Sequence, residues 1–496
     1  MLTNLPNESS LRLFDLPAPV RPLRSCSHGK AALGQYMTPP SIAHFMASLF
    51  PTESQSSSFH LLDAGAGEGA LTMAFLEAWR TGTHTFQHGE VSLFEYDEMM
   101  LSTLKMNIDH ARLDLDLNAH IYHQNFIQVA SLLVLRGNRL FSHAILNPPY
   151  KKITSNSLHR IQLREAGIET VNLYSGFVAL SLALLQKHGQ LVAIIPRSFC
   201  NGPYYRSFRK YIMSNAALHH IHLFKSRSKA FEDDNVLQEN IILRLERDGV
   251  QGKVKISQST DGTFEDYSMT EYPFSSIFHQ SSRESFIYIP TESGINFLPK
   301  AATPLSSLGI NVSTGPVVDF RLKEFLHTMP EDGDVPLLYP THFNGDTHWP
   351  KKDFKKPNAI SVCPSTMKLL YPNGWYVVVR RLSSKEEKKR IMANIVNPQY
   401  FEDMKFLGFE NHLNVFHQNK EGMSENIARG LVCYLNSRNI DSIFRSFNGH
   451  TQVNATDLRS LLYPSLELLS KIGEWSKKNP SLSQGDIDKY MEYLLQ

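Results

Sequence analysis

The chain has 496 residues, a formal net charge of +2 and 42% hydrophobic residues, long enough for two domains, or three small ones, each able to bury a core. That near-neutral balance excludes a polycation, so overall charge gives no reason to expect nucleic acid. Cys26, Cys200, Cys363 and Cys433 stand too far apart for a zinc site or a disulfide framework and fit a reducing cytoplasm. No metal is expected. His219-His220, and His342 with His348, have no companion ligands at regular spacing. The longest greasy segment, Phe177 to Leu185, is far too short to span a bilayer, so no membrane is expected either.

Residues 1–30 read as an N-terminal extension, and residues 31–247 as the catalytic domain. In Gly34 to Met46, Thr38 or Ser41 is the expected cap of a helix opened by Pro39 and Pro40, with Ile42, Phe45, Met46 and Leu49 at helical spacing. Exposed N–H groups at such a start receive a carboxylate. Next, His60-Leu61-Leu62 reads as the end of a buried strand running into Asp63-Ala64-Gly65-Ala66-Gly67-Glu68-Gly69, and Ala70 to Leu76 reads as a helix. Glycines at this spacing let the backbone approach a ligand closely, but the turn lacks the lysine of a phosphate loop. It carries Asp63 and Glu68 instead, a poor setting for pyrophosphate and a good one for the ammonium and sulfonium groups of S-adenosylmethionine.

One unit later, Val91 to Phe94 gives a strand tipped by Glu95-Tyr96-Asp97, and an acid at a strand's C-terminal tip is where doubly wound folds hold ribose hydroxyls. Glu95 is that acid. A third strand, Asn118 to Tyr122, leads to Asn125-Phe126, placed to hydrogen-bond and flank an adenine. The apolar run Ala144-Ile145-Leu146 then delivers Asn147-Pro148-Pro149-Tyr150. Asn147 Oδ1 and the Pro148 carbonyl are two acceptors that can seize both N–H bonds of an exocyclic ring amine, pushing its nitrogen toward tetrahedral geometry and releasing its lone pair. The prolines lock the loop, and Tyr150 is placed to stack on a base.

Past Arg247 the chain changes character. Residues 248–304 are rich in Ser, Thr, Gly and aromatics and read as a connection that includes closing strands of the catalytic sheet. Residues 305–496 read as a mixed α+β domain. Between Lys351 and Arg390 eleven basic residues face three acidic ones, a local charge of +8, with Trp349, Tyr371, Trp375 and Tyr376 interleaved. Clustered Lys and Arg with aromatics is the footprint of a phosphate-tracking surface, although a solvated face has the same composition. The DNA-contact candidates in it are Lys351, Lys352, Lys355, Lys356, Arg380 and Arg381.

Taken together, these residues resemble the γ-type adenine-N6 DNA methyltransferases of the Taq, Pst and Bsu kind, in motif order as well as content. The resemblance implies an α/β fold with a doubly wound, Rossmann-like S-adenosylmethionine-dependent sheet and a C-terminal α+β DNA-recognition domain. Its expected cofactor set is Thr38, Pro39, Asp63, Gly65, Ala66, Gly67, Glu68, Gly69, Glu95, Tyr96, Asn125, Phe126 and Asn147. The family usually has Asp where this chain has Asn125. Asn147, Pro148, Pro149 and Tyr150 are the implied catalytic residues, and Phe231 matches the aromatic on the other face of a flipped base. Asn172 to Phe177 opening a long apolar helix, the strand Gly189 to Arg197, the segments Trp375 to Arg390 and Gly449 to Arg459 also match, with Asn454 or Thr456 capping a helix. The implied partner is double-stranded DNA, together with a separately encoded restriction endonuclease, for a monomer or dimer in the bacterial cytoplasm. Alternatives are a methyltransferase for RNA or a protein glutamine, or a non-catalytic DNA-binding subunit.

Overall fold

The computed structural model describes residues 38–52, 56–226, 239–278, 284–290, 303–344, 346–353, 355–384, 386–449 and 451–495. The chain divides into two compact units, one made of residues up to 196 and 211–270, the other of residues 197–210 and 271 onward.

The first unit is built on a nine-stranded sheet. Its strands are β1 (Ser58–Ala64), β2 (His88–Phe94), β3 (Leu117–Tyr122), β4 (Phe141–Leu146), β5 (Leu185–Pro196), β6 (Ala216–Phe224), β7 (Asn240–Arg247), β8 (Val254–Ser259) and β9 (Ser268–Tyr272). They lie in the order β3-β2-β1-β4-β5-β7-β6-β8-β9. β1 to β5 pair in parallel, and β7 runs antiparallel between β5 and β6. The last four residues of β1, β2 and β4 are all buried, as expected of parallel strands covered on both faces, which read as continuous apolar runs. Strand order reverses between β1 and β4, and ligands of doubly wound sheets bind beyond the carboxyl ends at such a reversal.

Helix α1 (Pro40–Ser48) buries Ile42, Ala43, Met46 and Ala47, and α2 (Ala70–Arg80) buries Leu71, Phe75, Leu76 and Trp79 in the same core cluster. The start of α1 corrects the sequence reading. Its N-cap is Pro39, and no side chain caps it. Pro40 at the first helical position removes one donor that would otherwise need a partner, and the Thr38 hydroxyl is engaged elsewhere. Further along come α3 (Glu98–Ala111), α4 (Phe126–Leu135), α5 (Leu158–Glu165) and α6 (Leu173–Leu184).

The sheet continues past Arg247 into the connecting segment, where β8 pairs in parallel with β6 through His220–Lys255 to Phe224–Ser259. Residues 197–210, expected in the catalytic domain, group with the second unit. Arg209 holds them there. Its guanidinium donates to the carbonyls of Phe199 (2.9 Å), Asn201 (2.8 Å), Gly202 (3.0 Å), Glu284 (2.7 Å) and Ser285 (2.8 Å) and lies 5.1 Å from the centroid of Phe286. Burial pulls this arginine down to about 10, and the five carbonyl dipoles are what it receives in place of water.

The second unit is α+β. A four-stranded antiparallel sheet runs Asn311–Thr314, Leu413–His417, Tyr376–Arg380, Ala393–Val396. Period two sorts its side chains: Val377, Val379 and Phe416 face a core shared with helix Glu425–Leu435, while Tyr376, Val378 and Val415 face a second cluster with Tyr371 and Phe409. Asn454 is the N-cap residue of Ala455–Ser460, its N–H donating to Asp457 Oδ2 at 3.0 Å.

Helices Glu425–Leu435 and Leu466–Lys478 meet through glycines: a Cβ on Gly430 would lie 1.9 Å from the Leu469 carbonyl oxygen, and one on Gly473 1.8 Å from that of Asn426. Gly473→Ala is therefore expected to force the helices apart and lower stability by about 1–3 kcal/mol, at the scale of an overpacked core. Denaturant unfolding of the full chain checks this, and an unchanged midpoint would remove the close approach.

Candidate active site

The glycine turn leaves β1 and winds back onto β2. The N–H groups of Gly65 and Ala66 donate to Phe94 O at 2.8 and 3.0 Å, and that of Gly69 donates to Ala66 O at 2.8 Å. Gly65, Gly67 and Gly69 have φ of +81°, +56° and +91°, a region that side chains with a Cβ rarely adopt. Nothing lies within 4 Å of a Cβ built on Gly67 and only Phe177 at 3.8 Å from one on Gly65, so both present open backbone, whereas Gly69 packs directly on Leu104.

Two carboxylates hold this turn. Glu95, 2% exposed, accepts the Gly67 N–H at 2.7 Å through Oε2 and the Tyr96 and Asp97 N–H groups at 2.8 and 2.7 Å through Oε1. A charged acceptor on three donors clamps the tip of β2 to the turn after β1. Asp63, 1% exposed, accepts from Thr72 Oγ1 at 2.7 Å through Oδ2, while Oδ1 is buried with no partner among the described residues. Burial pushes the Asp63 carboxyl up to about 7, against the Thr72 hydrogen bond and with the nearby Glu95 charge adding to the rise. Glu68 is half-buried, its carbonyl accepting from Asn107 Nδ2 at 2.9 Å, and Tyr96 is 52% exposed.

Asn125 caps α4, Oδ1 accepting from the Gln128 N–H at 3.3 Å, while its Nδ2 lies 3.0 Å from His159 Nε2 on α5. Both ends of the Asn125 side chain are thus engaged within the protein. Phe126 is buried against Phe94 and Phe177, with centroids 5.3 and 5.0 Å away.

The register Asp63–Ile145 places the exit of β4 beside the glycine turn, with Asn147 two residues further on. The Asn147 amide is held at both ends: Nδ2 donates to Thr38 Oγ1 at 2.9 Å and Oδ1 accepts from the Tyr150 hydroxyl at 3.1 Å. Tyr150 also lies 3.2 Å from Ile194 O on β5 and meets Tyr174 edge-on at 6.1 Å. Thr38, Asp63, Glu95, Asn147 and Tyr150 are thereby gathered on the carboxyl edge of the sheet, with Pro148 buried and Pro149 half-buried between them. Phe231 lies outside the described residues.

The basic run of the second unit is not one face. Lys351 Nζ donates to Thr341 O at 2.8 Å, Lys356 pairs with Asp319 at 2.7 Å, Arg380 pairs with Glu387, and Arg381 Nη1 donates to Asn411 O at 2.8 Å. Arg390 is 1% exposed, stacked over Phe444 and bonded to Asn448 Oδ1. Tyr371 and Tyr376 are core residues. Local charge counted along a sequence overstates the field here, because ion pairs, carbonyl contacts and burial engage several of these groups. Lys352, Lys355, Lys368 and Lys388 are exposed, and Lys385 lies outside the described residues. Among the described residues, no group of three or more His, Cys, Asp or Glu is placed to hold a metal, and no helix is long and apolar enough to cross a membrane.

Removing the Glu95 carboxylate leaves three backbone donors at 67, 96 and 97 without their acceptor, so Glu95→Ala should lower ligand-free stability by about 1–3 kcal/mol. Chemical denaturation without ligand measures it, and an unaltered stability would show that the clamp contributes nothing.

Comparison with known proteins comes to the same architecture. The Eco57I restriction-modification methylase family matches residues 60–231. Type II methyltransferase M.BsuBI of Bacillus subtilis is 49% identical over 477 residues, 94% of each chain. Type II methyltransferase M.PstI of Providencia stuartii is 42% identical over 89% of each. Among solved structures, that of the DrdV–DNA complex matches with a TM-score of 0.50 at 13% identity, over 90% of this chain and 57% of that one, a likeness of fold.

Proposed function

This chain belongs to the type II methyltransferase family, and from that premise we propose that it methylates the N6 amine of adenine at a specific site in duplex DNA. The single observation behind the choice of an amine is the Asn147 amide, whose Nδ2 donates to Thr38 so that Oδ1 is its acceptor end just beyond β4; the Pro148 carbonyl, next in the chain, is the second acceptor of this proposal. The matched relatives are named type II methyltransferases, which favours DNA over RNA or a glutamine side chain.

S-adenosylmethionine fits the residues present. Gly65 and Gly67 offer open backbone, and Asp63 offers a buried carboxylate oxygen with no partner among the described residues, beside a second buried acid, a donor set for a cationic amino acid. Bound there, it supplies an electrophilic methyl on a sulfonium. Asp63, Glu68 and the Gly65 to Gly69 turn with Ala66 hold its methionine end together with Thr38 and Pro39. Glu95 and Tyr96 take the ribose, and Asn125 and Phe126 the adenine. Asn147 and Pro148 accept the two amine N–H bonds, so the nitrogen lone pair leaves conjugation with the ring. Tyr150 and Phe231 sandwich the target base, which must leave the stack to reach the loop. No strong base is needed, since the amine sheds its proton during or after transfer.

In the second unit the phosphate-contact role narrows from the six candidates. Lys352 and Lys355 are exposed, while Lys351 and Lys356 tie their segment to Thr341 and Asp319, and Arg380 and Arg381 are engaged by Glu387 and Asn411. A separately encoded endonuclease reading the same site completes the system.

Asn147→Ala should abolish methyl transfer while S-adenosylmethionine still binds, because the lost acceptor acts on the amine. Purified Asn147→Ala that still methylates adenine at the normal rate would end this reading.

A second expectation follows from Asp63. A carboxyl held near 7 is largely protonated below that pH, and pairing with a cation requires the ionised form. Affinity for S-adenosylmethionine should therefore fall as pH drops through about 7, with proton release on binding. Asp63→Asn should remove both effects. Calorimetry in buffers of different ionisation heat reads the released proton, and none released near neutrality would place the cation away from Asp63.

A further inference from the structure

Lys151 and Lys152 follow Tyr150 directly, and both are exposed. Their backbone is fixed. The Leu173 N–H donates to Lys151 O at 2.8 Å, the Ile153 N–H donates to Val171 O at 2.7 Å, and Lys152 forms an antiparallel bridge with Asn172. This short ladder ties the exit of the Asn147 to Tyr150 loop to the first turn of α6, while Ile153 is buried. Two exposed lysines are thus carried on an ordered backbone directly after the Asn147 to Tyr150 loop.

We propose that Lys151 and Lys152 form a phosphodiester-binding rim that holds the backbone of the extruded adenosine on the strand being methylated. The inference rests on the function proposed above. A base delivered to Asn147 and Tyr150 remains joined through one sugar to its two flanking phosphates, which must then lie at the mouth of the loop. Extrusion costs unstacking and unpairing. Contacts made only once the nucleotide is out offset that cost selectively, and so raise kcat/KM more than affinity for random DNA. An ordered ladder suits this task, because a positioning charge loses its value if it must first be immobilised.

The test places 2-aminopurine at the target position and compares the parent enzyme with Lys151→Ala/Lys152→Ala and Lys151→Arg/Lys152→Arg. In the alanine pair the fluorescence rise on binding should shrink, and kcat/KM on a paired target should fall by about tenfold per lysine, the scale of a charge-assisted hydrogen bond. The loss should be smaller on a target opposite an abasic site, where extrusion costs less, and the arginine pair should recover most of it. Retained binding of S-adenosylmethionine certifies the fold, and the single substitutions carry the same comparison if the double one fails it. Unchanged fluorescence and kcat/KM overturn the proposal. So does an equal loss on paired and abasic-facing targets, the behaviour of an ordinary tether. Failure of the parent enzyme to methylate adenine would instead overturn the function proposed above.

Discussion

The reversal of strand order between β1 and β4 is the constraint on which the site depends. Parallel strands to either side must send their connections to opposite faces, so the segments leaving β1 and β4 part from each other above adjacent strand ends. Here those segments are the glycine turn and the Asn147 to Tyr150 loop, and the Asp63–Ile145 pairing fixes how close they emerge. Neither segment makes a two-substrate site alone. A slip of one residue in this register would turn Asp63 and its neighbours to the opposite faces of the sheet, and the burial of β1 and β4 on both sides resists such a slip.

Around that reversal the two carboxylates have different tasks because their environments differ. Glu95 is satisfied by three backbone donors and acts first as part of the scaffold: it holds Gly67 in its positive-φ conformation and sets where the turn presents its open backbone. Asp63 accepts from Thr72, its Oδ1 has no hydrogen-bond partner among the described residues, and burial makes its charge costly. The arrangement favours a ligand whose own charge completes the site.

Much of this was legible in the sequence, and for identifiable reasons. Buried parallel strands ending in a special residue leave strong local signals, so β1 with Asp63, β2 with Glu95 and β4 with Asn147 stand within two or three residues of where the apolar runs placed them. Signals that depend on distant partners were not legible. Thr38 is 109 positions from the amide it accepts from, so the local proline pattern made it look like a cap. Asn125 meets His159 across 34 positions. The sequence around Arg209 says nothing of five carbonyls, two of them 75 and 76 residues away, and residues 197–210 therefore read as catalytic-domain chain. In the basic run composition counts charges, but ion pairs and burial decide which of them solvent or a phosphate can meet.

The Asn147 amide shows how a short loop fixes the sense of one side chain. An acceptor aimed at an amine must not rotate, since an amide turned by half a revolution presents donors where acceptors are needed. Thr38 Oγ1 accepts from Nδ2 and so fixes the sense of the amide, while the Tyr150 hydroxyl, placed between Asn147 Oδ1 and Ile194 O, fixes the ring that a base would stack on. Orientation is thus established before substrate arrives. Preorganised acceptors cost no rearrangement during reaction, which is the condition under which electrostatic stabilisation contributes most. The proline pair adds to this: with φ locked at two successive residues, less of the loop is left for side-chain contacts to restrain.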